Sequence, residues 1–560
     1  MVQKSVEPII KMDELNKAVE AINFEVLDPA LKVSFNLFLN KIEEQEKLIK
    51  QLRIENQKLR DENNRLKGEK GKPGIRPQTP SKDISSEAER KSLNQEKTKK
   101  SKAKNHKVKI DRIEKCKVDK STLPADAVFK GYRSVYVQDL VIHTDNVQFE
   151  KEVYYSPSLK RTFMGEVPKG YEGEFGPGVK AFVLSAHYQS NMTESAIVAT
   201  LQTHGIFISS CTVSRLLTED KEAYHEEKQE IVKEGLASSQ PKQMDDTSAR
   251  VKGKNHFNHI LCNSGFTAYF TYPHKDRLTL LEILTCAPLT FKFNDFSYDF
   301  MEKMELPEKF LNLLKENDFE ESLNGEEMDA LLENLFPDPT KQKKNRKTIL
   351  EATAIAAYRT LPHALSMILT DEAPQFNEIT ERIGSCWIHE GRHYKKLTPC
   401  FFWHQMQVDA FLKKFWSFYH ELLEYKKLPS KRKANRLSKK FDVLFSEKTG
   451  YDELDKRISL SKTRKDSLLL VLKYPDLPLH NNASELGARA QARKRDISLH
   501  TMSTKGTEAK DTFMTIVETA KKHGVNVYHY LYDRITKKYE LPSLATLIKE
   551  AGHPDRAQAA

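Results

Sequence analysis

The chain has 560 residues, a formal net charge of +11 and six cysteines. This length predicts more than one domain, and the excess of Lys and Arg favours a polyanionic partner, although a basic protein with no nucleic-acid ligand fits the same charge. The absence of a Cys-x-x-Cys pair excludes a zinc ribbon and a thioredoxin-like redox site. No window is apolar and long enough for a membrane span, and residues 1–20 lack the apolar core of a signal peptide, so a cytoplasmic protein is expected.

A heptad repeat runs from residue 35 to residue 66. Leucine recurs at position d in its second half, and Asn56 and Asn63 occupy position a. This pattern is typical of a parallel dimeric coiled coil, in which a buried Asn fixes the register. The helical N-terminus, assigned to residues 1–68, is therefore expected to form a homodimer or a higher oligomer. The alternative is one amphipathic helix that packs on its own domain.

The following segment lacks a strong helical or strand pattern. A Gly-Lys-Pro-Gly break at 71–74 ends the helix. Residues 69–111 are polar and basic, and they are assigned as a disordered linker that is either solvated or lies along phosphates. Residues 112–170 hold short runs with β character, such as 134–137 and 151–155, and are assigned as a small β-rich segment.

Residues 171–235 are predicted to be helical. Two short helices flank Gly205, and the second begins with a Ser-rich cap. The pair resembles a helix-turn-helix, whose second helix enters the major groove of DNA. Under that interpretation Ser210, Thr212 and Arg215 contact DNA. An ordinary helical hairpin has the same pattern.

Three strands with short Gly-containing turns are predicted between residues 244 and 272, which gives an antiparallel meander. A helix over 348–365 and an apolar strand over 366–370 follow. Three antiparallel strands, a helix and a further strand form the skeleton of a ribonuclease-H-like fold of mixed α/β class. The chain from 236 to 500 is therefore assigned as a ribonuclease-H-like catalytic domain.

Two stretches of this domain are assigned as helical insertions, near 287–347 and 400–470. A second run of helices, which includes a long amphipathic helix over 509–523, forms a C-terminal helical region at 501–560.

Three carboxylates are placed where they can converge. Asp245 lies on the first strand of the meander, Asp371 follows the apolar strand, and Glu485 lies in the first turn of a helix that begins at Asn482. Carboxylate oxygens suit Mg²⁺, and two such ions stabilise both the attacking and the leaving oxygen of a phosphoryl displacement. The sequence therefore predicts a two-metal site.

Each carboxylate also has a structural alternative. Asn482 and Glu485 fit a capping box, Asp371 fits a helix N-cap, and Asp245 or Asp246 fits a turn. Adjacent strand residues point to opposite faces, so only one of Asp245 and Asp246 faces the metals. We choose Asp245.

The helix after Glu485 carries a basic set: Arg489, Arg493, Lys494 and Arg495. We interpret these side chains as phosphate contacts beside the metal site, because Arg favours bidentate geometry. The alternative for Arg489 is an i,i+4 ion pair with Glu485.

Three motifs resemble those of a known family. The Asn-Asn-Ala-Ser-Glu passage at 481–485, with its continuation to 531, resembles the C-terminal signature of the bacterial IS66 family of insertion-sequence transposases. The passage from Cys386 to Arg392 resembles that family's Cys-Trp-x-His motif, and Asp245-Asp246-Thr247 resembles its Asp-Glu-Thr motif. The heptad repeat followed by Gly-Lys-Pro-Gly matches its layout.

The resemblance implies DDE transposition, with Asp245, Asp371 and Glu485 as the metal-binding triad and Asp246 in the place of the family's Glu. Two Mg²⁺ ions, for which Mn²⁺ substitutes, would serve cleavage at the element ends and transfer of the freed 3′-hydroxyl to target DNA. The implied partners are double-stranded DNA of the element ends and target, and small accessory transposition proteins. The implied location is the bacterial cytoplasm, at the nucleoid when DNA is bound.

The chain also departs from that family. A cysteine-rich zinc-binding segment is expected before the helix-turn-helix region, and here it retains only Cys116, so structural zinc is not expected. Two other functions fit the sequence. One is a catalytically silent DNA-binding protein derived from a transposase, and the other is a ribonuclease-H-like nuclease without strand transfer.

Overall fold

The computed structural model describes residues 12–67 and 110–552, except 23, 25, 120–122, 125, 318, 320, 339–340 and 372. Almost all of the linker assigned to 69–111 lies outside the described residues. In the part of the chain that is described, no helix has both the length and the apolar character needed to cross a membrane.

The N-terminus forms two helices, α1 (Met12–Glu20) and α2 (Pro29–Leu66). Asp28 caps α2 by accepting a hydrogen bond from the Ala30 amide at 2.9 Å, and Pro29 begins the helix, where its missing N–H costs nothing. The whole heptad repeat therefore lies on one continuous helix, as predicted.

Residues 110–170 contain one regular element among those described, a hairpin of β1 (Val153–Ser156) and β2 (Arg161–Met164). The prediction of a strand over 134–137 was wrong. Val135 and Val137 are 81% and 83% exposed, so within the described part of the chain these β-favouring side chains have no neighbouring layer to pack against. The segment is less β-rich than its local composition indicates.

Four helices follow: α3 (Pro177–Tyr188), α4 (Glu194–Thr203), α5 (Ser210–Thr218) and α6 (Glu222–Ala237). Thr193 and Ser209 cap α4 and α5 by accepting backbone N–H bonds at 3.1 Å. Gly205 lies between these two helices with a φ of 80°, a conformation that favours glycine. The predicted pair of short helices about a glycine turn is confirmed.

A five-stranded sheet forms the centre of the molecule. Its strands are β3 (Lys242–Val251), β4 (Lys254–Cys262), β5 (Thr267–Tyr272), β6 (Met367–Thr370) and β7 (Arg382–Ser385), in the order β5-β4-β3-β6-β7. The first three strands are antiparallel, as predicted, whereas β6 is parallel to β3 and β7 is parallel to β6. The fold is thus of mixed α/β class.

In the described residues between β5 and β6 there are five helices: α7 (Arg277–Thr285), α8 (Asp295–Lys303), α9 (Glu308–Glu316), α10 (Gly325–Leu335) and α11 (Lys343–Arg359). The second half of α11 is buried on nearly every side, which explains its lack of a polar face. These helices share one hydrophobic core with the sheet and with α3 to α6.

A second core forms beyond β7, around α12 (Trp387–Lys395), α13 (Phe402–Lys427), α14 (Lys431–Leu444), α15 (Asp452–Thr463) and α16 (Lys465–Leu468). Trp387 lies at its centre, fully buried, with Phe415, Phe418 and Phe441 packed around its ring. The aromatic residues of the predicted insertion are therefore mostly core residues.

The chain returns to the sheet through α17 (Asn482–Ser498), α18 (Thr504–Lys522), α19 (Val527–Ile535) and α20 (Leu544–Ala551). The side chains of Thr519, Thr515 and Asp511 on α18 accept the free backbone N–H groups of edge strand β5. The helix therefore closes an edge that would otherwise be open to pairing.

Candidate active site

Asp245 and Asp371 lie side by side at one edge of the sheet. In the parallel pairing of β3 with β6, Gln243 lies opposite Leu369. Each aspartate is two residues beyond its member of that pair. Since paired strands are about 4.8 Å apart, the register brings together two carboxylates that are 126 residues apart in sequence.

Helix α17 brings Glu485 to the same place. The Asn481 side chain donates to the Met244 carbonyl at 2.9 Å, and the Ala483 amide donates to the Gln243 side chain at 3.2 Å. These bonds attach the start of α17 to β3 next to Asp245. Asn481, not Asn482, is the residue before the helix, so Asn482 does not hold the cap position that the capping-box alternative for Glu485 requires.

The site concentrates negative charge. Burial raises the pKa of Asp245 to about 7, and the neighbouring carboxylates of Asp371, Asp246 and Glu485 add to the effect. Burial also raises the pKa of Asp371, although a hydrogen bond from the Ala373 amide and the nearby His389 oppose the shift. A buried cluster of carboxylates favours a bound cation.

Glu485 is held by an arginine that has no predicted role in the sequence. Arg392 Nη1 and Nη2 donate to Glu485 Oε1 and Oε2 at 3.2 and 3.1 Å. His389 Nε2 lies 3.8 Å from Oε1, and Arg489 lies 3.8 Å from Oε2. The Glu485 carboxylate therefore has cationic or polar neighbours on both oxygens.

Asp246 has partners of its own. Gln375 Nε2 donates to one of its oxygens at 2.8 Å, and Lys275 lies 3.4 Å from the other. Among the described residues, no other side chain makes such a contact with Asp245; its Oδ1 accepts the Asp246 amide at 2.8 Å. These contacts give Asp246 a structural role, and the choice of Asp245 as the metal-facing residue stays a prediction.

For Lys494, one of the four basic residues predicted to contact DNA, the prediction was wrong. Lys494 is 1% exposed, and its ammonium donates to the His187 carbonyl and lies over the Tyr188 ring. Arg493 is exposed and Arg489 has a side chain that is 56% exposed. Arg495 is half-buried and donates to Ser248 at 2.6 and 2.7 Å. Successive residues of a helix are about 100° apart around its axis, so Arg493 can face solvent while Lys494 faces α3.

The three predicted DNA-contact residues on α5 lie on its outer side. Ser210 and Arg215 are exposed, and Thr212 is half-buried beside Ser209. Val213 and Leu217 of the same helix are buried. The outward face is free to meet a ligand, and its contact with DNA stays a prediction.

Cys386 directly precedes α12. His389 and Arg392 follow it at intervals of three residues, and these two share one face of the helix. That spacing is the signal by which a common role is recognisable in the sequence. Cys386, His389 and Glu485 offer ligand atoms that all lie within 4.8 Å of one another; among the described residues, the three predicted carboxylates do not form such a set. Burial raises the pKa of the Cys386 thiol to about 11.

Two comparisons with known proteins bear on this site. Residues 345–509 match the model of the family described as "Transposase IS66 family". The matched segment contains Asp371, the passage from Cys386 to Arg392 and Glu485, and it leaves Asp245 outside. The chain is also 32% identical over 316 residues to the uncharacterized protein y4jO of Sinorhizobium fredii (strain NBRC 101917 / NGR234), an alignment that covers 54% of this chain and 93% of that relative.

Proposed function

This chain belongs to the IS66 family of transposases, and from that premise we propose that it is a DDE transposase that cleaves the ends of a bacterial insertion sequence and transfers them to target DNA. The observation that carries the proposal is the placement of Asp245 and Asp371 at one level of adjacent strands, with the start of α17 and Glu485 attached beside them.

The sheet supports a ribonuclease-H-like catalytic domain. Three antiparallel strands are followed, on the far side of β3, by two strands parallel to it. In open sheets with parallel strands, ligands bind beyond the carboxyl ends of the strands. Asp371 stands at that end of β6, which agrees with a site for phosphodiester chemistry there.

The three carboxylates fit Mg²⁺. They offer only oxygen ligands, which Mg²⁺ and Mn²⁺ prefer. Burial and the neighbouring carboxylates raise the pKa of Asp245, and a bound cation would offset both effects. Two bound ions would stabilise the attacking and leaving oxygens of an in-line displacement. The strands position the carboxylates of Asp245 and Asp371. Glu485 has to give up hydrogen bonds from Arg392 before it can bind a cation.

DNA is the proposed partner of the exposed basic residues. Arg489 and Arg493 lie one and two turns beyond Glu485 on α17, so a DNA strand in the active site would pass them. Exposed Arg215 on α5 provides a second contact. Phosphate contacts of this kind position a duplex without reading its sequence.

A parallel homodimer is proposed for the second half of α2. Leu52, Leu59 and Leu66 are exposed at position d. In a parallel pair, Glu55 and Glu62 at position g face Arg60 and Lys67 at position e of the partner helix. An antiparallel pair would oppose like charges instead, so the charge pattern favours the parallel arrangement. Small accessory transposition proteins are proposed as further partners on family grounds alone.

Strand cleavage and joining test the proposed function. The substrate is DNA that carries the element's terminal inverted repeats, located in the DNA flanking the coding sequence, with Mg²⁺ or Mn²⁺. We expect cleavage and joining by the wild type, loss of both in Asp371→Asn, and retention in Asp409→Asn, a matched control on the exposed face of α13.

The other outcomes contradict either the metal assignment or the function. Activity that survives in Asp371→Asn contradicts the metal assignment. Binding of the ends without cleavage by the wild type favours a silent DNA-binding protein. Cleavage without joining favours a nuclease.

A further inference from the structure

Beside the three carboxylates lies a second set of potential metal ligands, which includes a thiol and an imidazole. One atom each of Cys386, His389 and Glu485 lies within 4.8 Å of the other two. A thiol, an imidazole and a carboxylate are the ligand types of zinc sites, and sites with three protein ligands leave a fourth position open. Mg²⁺ does not select thiolate ligands, so this set differs in chemistry from the three carboxylates.

The backbone holds the thiol and the imidazole in place. Cys386 lies between β7 and α12, and its fully buried sulfur accepts the Asn481 amide at 3.3 Å. His389 lies in the first turn of α12. Both α12 and the start of α17 therefore determine where the two ligands lie, and neither residue is on a loose loop.

The ring nitrogen of His389 that faces Glu485 is Nε2, which lies 3.8 Å from Oε1. Arg392 Nη1 donates to this nitrogen and to Glu485 Oε1, each at 3.2 Å. Since Nε2 accepts, the proton of the neutral ring lies on Nδ1, which is buried without a hydrogen-bond partner among the described residues. A metal ion that takes the place of Nη1 can bind the Nε2 lone pair, because metal coordination requires a neutral imidazole.

Glu485 can join such a set without leaving Arg392 altogether. Its Oε1 lies 3.8 Å from His389, while Oε2 accepts Arg392 Nη2 at 3.1 Å. A metal ion between Oε1 and His389 Nε2 displaces the two bonds of Arg392 Nη1, each 3.2 Å long. The remaining bond would orient the carboxylate as hydrogen bonds to metal ligands commonly do. The His389 side chain is 25% exposed, which gives an ion access from solvent.

We propose that Cys386, His389 and Glu485 bind Zn²⁺, at a site that shares Glu485 with the proposed Mg²⁺ site. Binding displaces the thiol proton to solvent and forms one bond from the ion to each of the three residues. Because one carboxylate cannot serve both sites fully, Zn²⁺ withdraws Glu485 from the other two carboxylates and inhibits cleavage. Only this inhibition rests on the proposed function; the binding does not.

Cobalt(II) added to the full-length, metal-free protein tests the site. Tetrahedral Co²⁺ bound to a thiolate gives a charge-transfer band in the near ultraviolet and d–d bands in the visible. We expect these bands in the wild type at one equivalent, their removal by added Zn²⁺, and their loss in Cys386→Ser. Cys262→Ser, a change of another fully buried cysteine on β4, should keep them.

A second variant guards against a folding defect. His389→Gln leaves the thiol in place. In a folded protein it should weaken Co²⁺ binding at least about tenfold, because even a change of a residue that orients a metal ligand costs that much. The absence of a thiolate band in the wild type, or its survival in Cys386→Ser, overturns the proposal. These readings need no DNA, so they are independent of whether the chain proves to be a transposase.

Discussion

At the scale of single residues, Glu485 has several competing neighbours in the site. Arg392 donates to both of its oxygens, and the Glu485 charge helps to raise the pKa of Asp245. His389 and Cys386 lie next to it. Since Arg392 is 18% and Glu485 11% exposed at the side chain, this pair is shielded from solvent far more than a surface salt bridge. Its strength sets the cost of moving Glu485 to a cation.

Arg392→Ala should therefore tighten the binding of Mg²⁺ or Mn²⁺. A hydrogen bond to a charged group contributes about 1.5–3 kcal/mol, and removing the competing guanidinium should lower the dissociation constant by about tenfold. Isothermal titration of the DNA-free protein with Mn²⁺ measures this directly. Arg489→Ala is the matched control, because its exposed guanidinium at 3.8 Å should matter little. Unchanged or weaker Mn²⁺ binding in Arg392→Ala would show that Arg392 does not compete for Glu485.

Lys494 predicts a pH dependence of stability. Burial lowers its pKa from 10.5 to about 7, and the nearby Lys510 adds to this. Between about pH 7 and 10.5 the unfolded chain then binds more protons at this position than the folded one, so the free energy of unfolding rises with pH. The penalty for burying the charge is fully present below about pH 7 and is relieved as the pH approaches 10.5.

Lys494→Met should remove this dependence. Relative to the variant, the wild type should gain thermal stability as the pH rises from about 7 to 10, as measured by thermal unfolding at several pH values. Lys521→Met, a change of an exposed lysine on α18, should leave the wild-type profile in place. A wild-type curve parallel to that of Lys494→Met would contradict the buried position.

At the scale of elements, α17 depends on close approach to the sheet. A Cβ at Gly487 would lie 2.8 Å from Ile260 Cγ2 and 3.3 Å from Thr267 Cγ2. Ile260 is the cross-strand neighbour of Asp245. The glycine thus sets the distance between the helix that carries Glu485 and the strand that carries Asp245.

Gly487→Ala should push α17 away from β4. We expect a loss of about 1–3 kcal/mol in the free energy of unfolding, as for other overpacked sites, and a reduced rate of strand cleavage because Glu485 moves with the helix. Gly325→Ala on α10 is the control, since no atom of the described residues lies within 4 Å of its added Cβ. A Gly487→Ala protein as stable and as active as the wild type would show that the close approach is unimportant.

Helix α2 has two halves with different surroundings. In the first half, buried Glu43 accepts the Cys400 amide at 2.8 Å and contacts His404 at 2.9 Å, so this half packs on the chain's own helices. In the second half the leucines at position d are exposed. The two alternatives for the heptad repeat, self-association and packing on its own domain, thus apply to different halves of one helix.

Leu59→Glu should therefore reduce self-association without unfolding the protein. A charge at position d would be buried in the proposed dimer, whereas Leu59 is 61% exposed in the single chain. Light scattering after size-exclusion chromatography gives the molar mass. Leu37→Glu, at an equally exposed leucine outside positions a and d, should keep the oligomer. Equal masses for the wild type and Leu59→Glu would contradict a coiled-coil dimer.

At the scale of the whole molecule, the net charge of +11 favours DNA binding only where basic residues are exposed. Arg493 and Lys494 are sequence neighbours with opposite burial. Arg493→Ala should weaken binding to the element ends and lower the slope of log affinity against log salt by about one. Lys494→Met should leave that slope unchanged. Fluorescence anisotropy at several salt concentrations measures both, and equal effects of the two changes would contradict the exposed role of Arg493.

The sequence by itself determined the local elements of this protein. Strand alternation and glycine turns predicted β3 to β5, an apolar run predicted β6, and cap residues with helical periodicity predicted α4, α5 and α17. These signals are local, since they depend on side chains a few residues apart. The strand predicted at 134–137 was wrong because β propensity needs a packing partner that this segment lacks.

Only the tertiary structure decided which residues meet. The parallel register of β3 with β6 places Asp245 beside Asp371, and the packing of α12 against α17 gives Glu485 its bonds to Arg392. Burial of Lys494 likewise follows from how α17 is rotated against α3. Pairing over more than a hundred residues depends on the shape and burial of whole elements, and no local pattern of charge or hydrophobicity contains that information.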